Sequence, residues 1–335
     1  MRKLSVFFMA IMLMFAVVFC GNSTVLASAE GIGVYIGGFS AGFTLKTGGA
    51  QVIGLSEVVT EQGTYSPASR AGVLAGDIIH KVEGIRIDSI AELNEVVDKS
   101  KGKTMKIEVY RGENNLELSV GAVKEAQSGR FKIGVLVREN VSGIGTVTYI
   151  DKNNKRFGAL GHSVVGENNY EMKISNGTVY ECSIVGVSKG VRGKAGELKG
   201  MFINDKRIGN AEKLCNCGIF GQISEEFEVN SLVSTVASSY EVKPGKAQIY
   251  STVSGTLPVC YQIEIVKVDK QNKENKNYVI KVTDEALISE TGGIVQGMSG
   301  SPIVQGGKLV GAVTHVFLND PTRGYGIDIE RMICE

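Results

Sequence analysis

The chain has 335 residues, 43 of them glycine, with only 5 prolines and no tryptophan, which leaves room for two or three cores. Its 36 basic and 35 acidic residues nearly cancel, and no basic run is dense enough to track phosphates, which argues against nucleic acid as a partner. Many glycines among short β-branched runs predict tight turns and strands, a mainly β chain. In chain order, Met1-Arg2-Lys3 precedes an apolar run from Leu4 to Cys20. Positive charge before such a run holds the N-terminus in the cytoplasm and sends the remainder across the membrane. Residues 1–29 are therefore expected to be a signal peptide or a signal anchor. Ala27-Ser28-Ala29 offers a small-x-small cleavage site, and Val17-Val18-Phe19 before Cys20 is a poor lipobox. Until any cut, the chain would be attached to the membrane through this segment.

Residues 30–125 read as a second unit. Ser66-Pro67-Ala68-Ser69-Arg70-Ala71-Gly72-Val73-Leu74-Ala75-Gly76-Asp77-Ile78-Ile79 predicts a short helix that packs Ala68, Ala71 and Leu74, then a Gly-Asp turn into an apolar strand. Ile90 through Lys99 is amphipathic, with Ile90, Leu93, Val96 and Val97 on one face and Asp88 or Ser89 as N-cap. Lys106–Arg111 and Leu116–Val120 alternate as paired strands around Gly112-Glu113-Asn114-Asn115. This run resembles a PDZ domain, which captures an extended peptide as an added strand while a Gly-rich loop holds its end. The loop that best matches is Gly42, Phe43, Thr44 and Leu45, after Ala41. The competing use of the unit is packing on, and regulation of, the rest of the chain.

In residues 126–335, strand-like runs recur at short intervals: Lys132–Val137, Gly145–Ile150, Val179–Val187, Ala247–Thr252, Tyr261–Val268, Tyr278–Val282 and Leu309–Val316. Within this region stands Gly297-Met298-Ser299-Gly300-Ser301-Pro302, and well upstream Gly158-Ala159-Leu160-Gly161-His162-Ser163. Nucleophilic serine chemistry needs an exposed hydroxyl, an imidazole to take its proton, and N–H groups to hold the oxyanion. Glycines flanking Ser299 let the backbone turn sharply, so that the Gly297 and Ser299 N–H groups can converge on one point. His162, one of three histidines, is the expected base. The order of base and nucleophile, each at a strand end, predicts a serine endopeptidase of chymotrypsin-like type: a double β-barrel with one residue from each half. Ser301 is the alternative nucleophile, and His315 is expected to face the cleft or to pack. Met298 cannot form the ion pair that organises the oxyanion hole in digestive-type zymogens, so activation by a freshly cut N-terminus is not expected. The odd number of cysteines beyond the first segment, Cys182, Cys215, Cys217, Cys260 and Cys334, includes no CxxC pair. Free or incidentally paired thiols, no metal and no cofactor are expected.

RFGALGHSVVG and TGGIVQGMSGSPIVQGGKLVGAVTHVFLNDPTRGYGIDIE, with the order targeting segment, PDZ, peptidase, resemble the stage IV sporulation protein B (SpoIVB) peptidases of endospore-forming bacteria. The resemblance implies a regulatory protease exported into the space between forespore and mother-cell membranes, where it triggers activation of the late mother-cell sigma factor. It also implies a protein substrate that is a membrane-associated regulator, and self-cleavage between Ala29 and the PDZ core. The third catalytic residue it points to is Asp284, whereas Asp205, nearer the middle of the His162–Ser299 interval, is the candidate from the ordinary order of such triads. Two other readings stand beside this one: a non-catalytic adaptor that keeps the motif residues, and a paralogous exported protease with a different substrate.

Overall fold

Polar–apolar alternation governs most of the chain, and strands form most of the molecule. The computed structural model describes residues 31–164 and 176–333, with residues 204 and 205 as backbone only. The expected targeting segment, Met1 to Ala29, and Cys334 lie outside the described residues. No helix among the described residues is long and apolar enough to cross a membrane.

The first strands are β1 (Gly33–Ile36) and β2 (Ser40–Leu55). The PDZ-like module follows, as β3 (Val58–Thr60), β4 (Gly63–Tyr65), helix α1 (Pro67–Arg70), β5 (Ile78–Val82), β6 (Ile85–Arg86), helix α2 (Ile90–Lys99), β7 (Thr104–Arg111), β8 (Asn114–Gly121), β9 (Val123–Lys124) and β10 (Phe131–Lys132). The sequence pattern held closely here. Ser89 caps α2 by accepting from the Glu92 N–H at 3.2 Å, and Glu92 reaches back to the Asp88 N–H at 2.8 Å. Leu93 and Val97 are buried against Ile79, Val82, Ile107 and Val109 in a core of the module's own. The Gly-Asp turn is pinned by Asp77, 1 % exposed, whose carboxylate takes both Nε and Nη2 of Arg111 at 2.7 Å and the Leu74 N–H at 2.9 Å. Leu74 itself, expected in the core, is exposed, because that turn directs it outward.

A long strand, β11 (Val135–Asp151, 17 residues), leads out of the module. Beyond it come β12 (Arg156–Leu160), β13 (Asn176–Ser188), β14 (Glu197–Cys215), β15 (Gly218–Ile223) and β16 (Val233–Thr235). The pairings β2–β11, β11–β12, β12–β15, β15–β14, β14–β13 and β13–β2 form a closed ring, the first barrel, around Phe43, Phe157, Val179 and Ile219. The second barrel is a closed ring of β17 (Gly245–Ser251), β18 (Val259–Val268), β19 (Tyr278–Val282), β20 (Pro302–Gln305), β21 (Lys308–Phe317) and β22 (Asp320–Asp328). Helix α3 (Glu285–Thr291) precedes the loop that carries Ser299 and α4 (Ile329–Ile333) follows β22.

The boundary between the two units differs from the expected one. Residues 40–46, assigned from sequence to the PDZ unit, belong to the first barrel, and β1, assigned there too, pairs with β11 and β16 beside that ring. In β2, Ser40 to Lys46 pairs with β11 on one edge, and Ala41 to Lys46 pairs with β13 on the other. Only from Ala50 does the strand serve the module, pairing there with β5. At the bend, the Thr47 hydroxyl contacts the Gly49 and Glu139 carbonyls at 2.8 and 3.3 Å. A Cβ on Gly49 would stand 2.5 Å from the Ile79 carbonyl oxygen, so only glycine lets the strand lie on β5. β11 is divided in the same way. Val135–Arg138 pairs with the module half of β2 and Asn140–Thr146 with the barrel half.

This placement corrects the peptide-loop assignment. Gly42, Phe43, Thr44 and Leu45 do not form a loop. Each is paired on both sides, Phe43 for example with Gly143 and Val179, so no edge is left for an added strand.

Candidate active site

Ser299 sits in the loop between α3 and β20, and the loop is tied to both barrels. Within the second barrel, the Met298 N–H donates to Val295 O at 3.1 Å, the Gly300 N–H to Val313 O at 2.8 Å and the Ser301 N–H to Met298 O at 2.9 Å. From the first barrel, the Thr146 N–H donates to Ser299 O at 3.0 Å, the Thr146 hydroxyl to Gly297 O at 2.9 Å and the Thr148 hydroxyl to Gly300 O at 2.8 Å. Gly297 and Gly300 have φ of 97° and 95°. A Cβ on Gly300 would lie 2.1 Å from the Thr146 carbonyl oxygen, so the loop approaches the first barrel closely only because that residue is glycine. Met298 is fully buried in the second core.

Two backbone donors remain. Among the described residues, the N–H groups of Gly297 and Ser299 meet no protein acceptor. These are the two groups the sequence pattern singled out for an oxyanion. The Ser299 hydroxyl donates to Thr314 O at 2.8 Å and borders the cleft. Ser301 is fully buried, and its hydroxyl donates to the Ser251 hydroxyl at 3.0 Å, which removes it as a nucleophile.

His162 lies two residues beyond the end of β12. Leu160 has φ of 71° and Gly161 of 73°, a reversal that turns the imidazole out of the strand toward the second barrel. A positive φ is costly for leucine, and the strain is held by packing on both sides. His162 Nδ1 lies 2.8 Å from the Ser163 carbonyl oxygen. A carbonyl can only accept, so Nδ1 carries the proton and the neutral ring keeps an open lone pair on Nε2. Burial pushes the pKa of His162 below its ordinary value, partly offset by the bond to Ser163. The His315 ring lies 5.0 Å from the His162 ring, at the cleft mouth. His315 is exposed there, yet the surrounding walls, then His162 and Lys276, push its pKa down to about 4. Both rings are neutral at neutral pH.

The cleft between the barrels encloses about 600 Å³ and holds His162, Ser299, Thr314 and His315 together. Phe43 and Leu45, placed from sequence in a peptide-binding loop, line it from the first barrel. Sequence reasoning also missed Thr146 and Thr148. Their only signal was the Gly145-Thr146-Val147-Thr148 alternation, which puts both hydroxyls on one face of β11.

Asp284 is not brought to His162. Its carboxylate caps α3, with one oxygen accepting from the Ala286 and Leu287 N–H groups at 3.1 Å and the other from the Gln262 N–H at 3.2 Å. It does not line the cleft, and the Nδ1 proton it was expected to hold is taken by Ser163 O. The physical reason is local: Asp284 stands just before a helix whose first N–H groups need an acceptor. Asp205 belongs to β14, and its side chain lies outside the described residues. Cys182 is a buried free thiol and Cys260 an exposed one, while the Cys217 N–H donates to Cys215 Sγ at 3.3 Å.

Residues 129–333 match the family model of the SpoIVB peptidase S55, and residues 42–121 match a PDZ domain. The chain belongs to the SpoIVB peptidase S55 family. It is therefore a serine peptidase of a sporulation family, carrying a PDZ domain ahead of, and partly woven into, the peptidase. Ser299 and His162, the nucleophile and base expected from the sequence, stand on opposite barrels of one cleft. Among solved structures, the PDZ domain of the SdrC-like protein from Listeria monocytogenes is similar at 23% identity, covering 27% of this chain and 86% of that one, with a TM-score of 0.22.

Proposed function

We propose that this chain is an exported regulatory endopeptidase that cuts a membrane-associated protein between the forespore and mother-cell membranes and so triggers activation of the late sigma factor. The observation that carries the catalytic part is the meeting of three groups in one cleft. These are the Ser299 hydroxyl, two backbone N–H groups with no protein acceptor beside it, and a histidine whose Nε2 lone pair is open. The regulatory and cellular parts rest on family membership and on the expected targeting segment.

In the reaction, Ser299 leaves Thr314 O, Nε2 of His162 takes the hydroxyl proton, and Oγ bonds to the substrate carbonyl carbon. The Gly297 and Ser299 N–H groups receive the oxyanion, and the same imidazole returns the proton to the leaving amine. Ser163 O keeps Nδ1 protonated throughout and stabilises the imidazolium in the role usually taken by a carboxylate. In the structure Ser299 is turned toward Thr314 O, so the hydroxyl must rotate before the base can reach its proton.

Self-cleavage is proposed to fall between Ala29 and Gly33. From Gly33 onward the chain is β1, paired with β11 on one edge and β16 on the other, and a cut there would break a paired strand. The test is a fluorophosphonate probe on the purified exported portion, with N-terminal sequencing of any fragments. Labelling at Ser299 and one early fragment beginning between these residues are expected. No labelling of the folded protein would overturn the reading.

A further inference from the structure

Among the described residues, the walls beside Ser299 carry no formal charge. Among the described residues that border the cleft there is no Asp, Glu, Lys or Arg, and the only titratable side chains are His162 and His315. Lys276, whose charge reaches His315, stands outside the lining. Geometry fixes which part of a substrate meets which wall. The attacked carbonyl carbon must sit at Ser299 Oγ, with its oxygen toward the Gly297 and Ser299 N–H groups. The side chain of that same residue then lies between the segment entering the nucleophile loop and the strand beside it. The first contributes Ile294 and Val295, both 2 % exposed, and the second contributes Val316. Nothing there can pair with a charge, and an unpaired charge taken from water into such walls is strongly disfavoured. A branched apolar group is favoured by the area it covers.

We infer that the cleft selects an extended peptide segment with an aliphatic side chain, of valine, leucine or isoleucine size, on the residue whose carbonyl Ser299 attacks. This deepens the peptidase reading and rests on it. Cleavage falls in apolar stretches of the target, such as a strand or a segment close to a membrane. It does not fall after the basic or acidic residues common in exposed loops. Val316 sets the preference most directly, since Ile294 and Val295 are core residues whose replacement would disturb the second barrel.

The test uses the purified chain and a set of aminoalkyl diphenyl phosphonates that carry the side chain of valine, leucine, lysine or aspartate. A simple fluorophosphonate without a recognition side chain runs in parallel. Labelling by the valine and leucine probes is expected to exceed that by the lysine and aspartate probes on the order of 100-fold. Val316→Asp is expected to narrow or reverse the gap between leucine and lysine probes. Val316→Ala, which preserves the fold, should shift preference toward larger apolar groups. If the fluorophosphonate labels Ser299 but the four probes react equally, or charged probes react faster, or none reacts, the specificity inference is overturned and the peptidase reading stands. If the fluorophosphonate itself fails on folded protein, the peptidase reading falls, and this inference with it.

Discussion

The two barrels contribute one candidate catalytic residue each, but they are assembled in different ways. The second is drawn from one uninterrupted stretch, β17 to β22, and its nucleophile loop is locally closed by short-range hydrogen bonds. The first is built across a gap: β2 enters before the PDZ module, β11 after it, and their pairing runs from Thr146↔Ser40 to Val135↔Leu55. The difference teaches where catalytic geometry is set. The Ser299 loop carries its own shape, whereas its contact with the other barrel depends on Thr146 and Thr148, on the strand that leads out of the module.

The sharpest break of this comparison is at the nucleophile. Ser299→Ala should abolish probe labelling and lower turnover by about six orders of magnitude, the scale seen when a serine nucleophile is removed. Ser301→Ala should keep labelling while losing the buried bond to Ser251, a loss of about 1 kcal/mol in a urea titration. Equal loss of labelling in both would mean that the loop has another register.

Next in size is the joint between the barrels. Gly300→Ala forces a Cβ onto the Thr146 carbonyl and a positive φ onto alanine. It should cost about 3 kcal/mol or more and displace Ser299 as well. Gly306, with φ of 59° and open space around its Cβ position, is the control: Gly306→Ala should cost about 1 kcal/mol and leave labelling unchanged. Similar urea midpoints for the two variants would mean the close approach at Gly300 does not hold.

A smaller effect sharpens the comparison at the acid. As a helix cap, Asp284 is replaced well by asparagine and badly by alanine. Asp284→Ala should lose about 1 kcal/mol of stability, and Asp284→Asn should lose less and label within a few-fold of the parent. An Asn variant that folds normally but labels about four orders of magnitude more slowly would place the Asp284 carboxylate at His162 during catalysis.

The smallest effect is on pH. Burial holds the pKa of His162 below 6.5, and the base works only when neutral. The acid limb of labelling should therefore fall below pH 6.5. The same shift links to stability: the unfolded chain binds the proton more readily, so the contribution of His162 is intact above pH 6.5 and declines as pH falls through that value. An acid limb at or above 6.5 would show that the ring is better solvated than the structure has it.

How much of this was legible follows the same division. Helix bounds and the cap inside the module, the Gly-flanked Ser299 and the open N–H groups beside it are set by neighbours in sequence, and the pattern of residues exposed them. The hairpin turn expected over residues 112–115 is tighter, with Asn114 and Asn115 already paired in β8. Tyr278–Val282 was placed to the residue. What escaped depended on distant partners. Gly42–Leu45 has the look of a Gly-rich loop, and only β11 and β13, far downstream, make it the middle of a strand. The Asp284 carboxylate suits a helix cap and a catalytic acid equally well, and the sequence alone does not say which set of donors reaches it. Ser163 was invisible because it acts through its carbonyl, which every residue has.

The pairing of Lys46 with Asn140 also has a practical meaning for anyone wishing to study the peptidase alone. Cutting the chain at the apparent end of the PDZ domain discards β1 and the barrel half of β2, and leaves the first barrel open. Viewed from the cleft, β2 and β11 are the two arms of one hairpin, and the whole module occupies the position of its turn. The smaller protein would be made by joining residue 46 to residue 140 through a short turn, keeping everything on either side. In the intact chain no linker separates module from enzyme, and a shift of the module is a shift of the strand that carries Thr146.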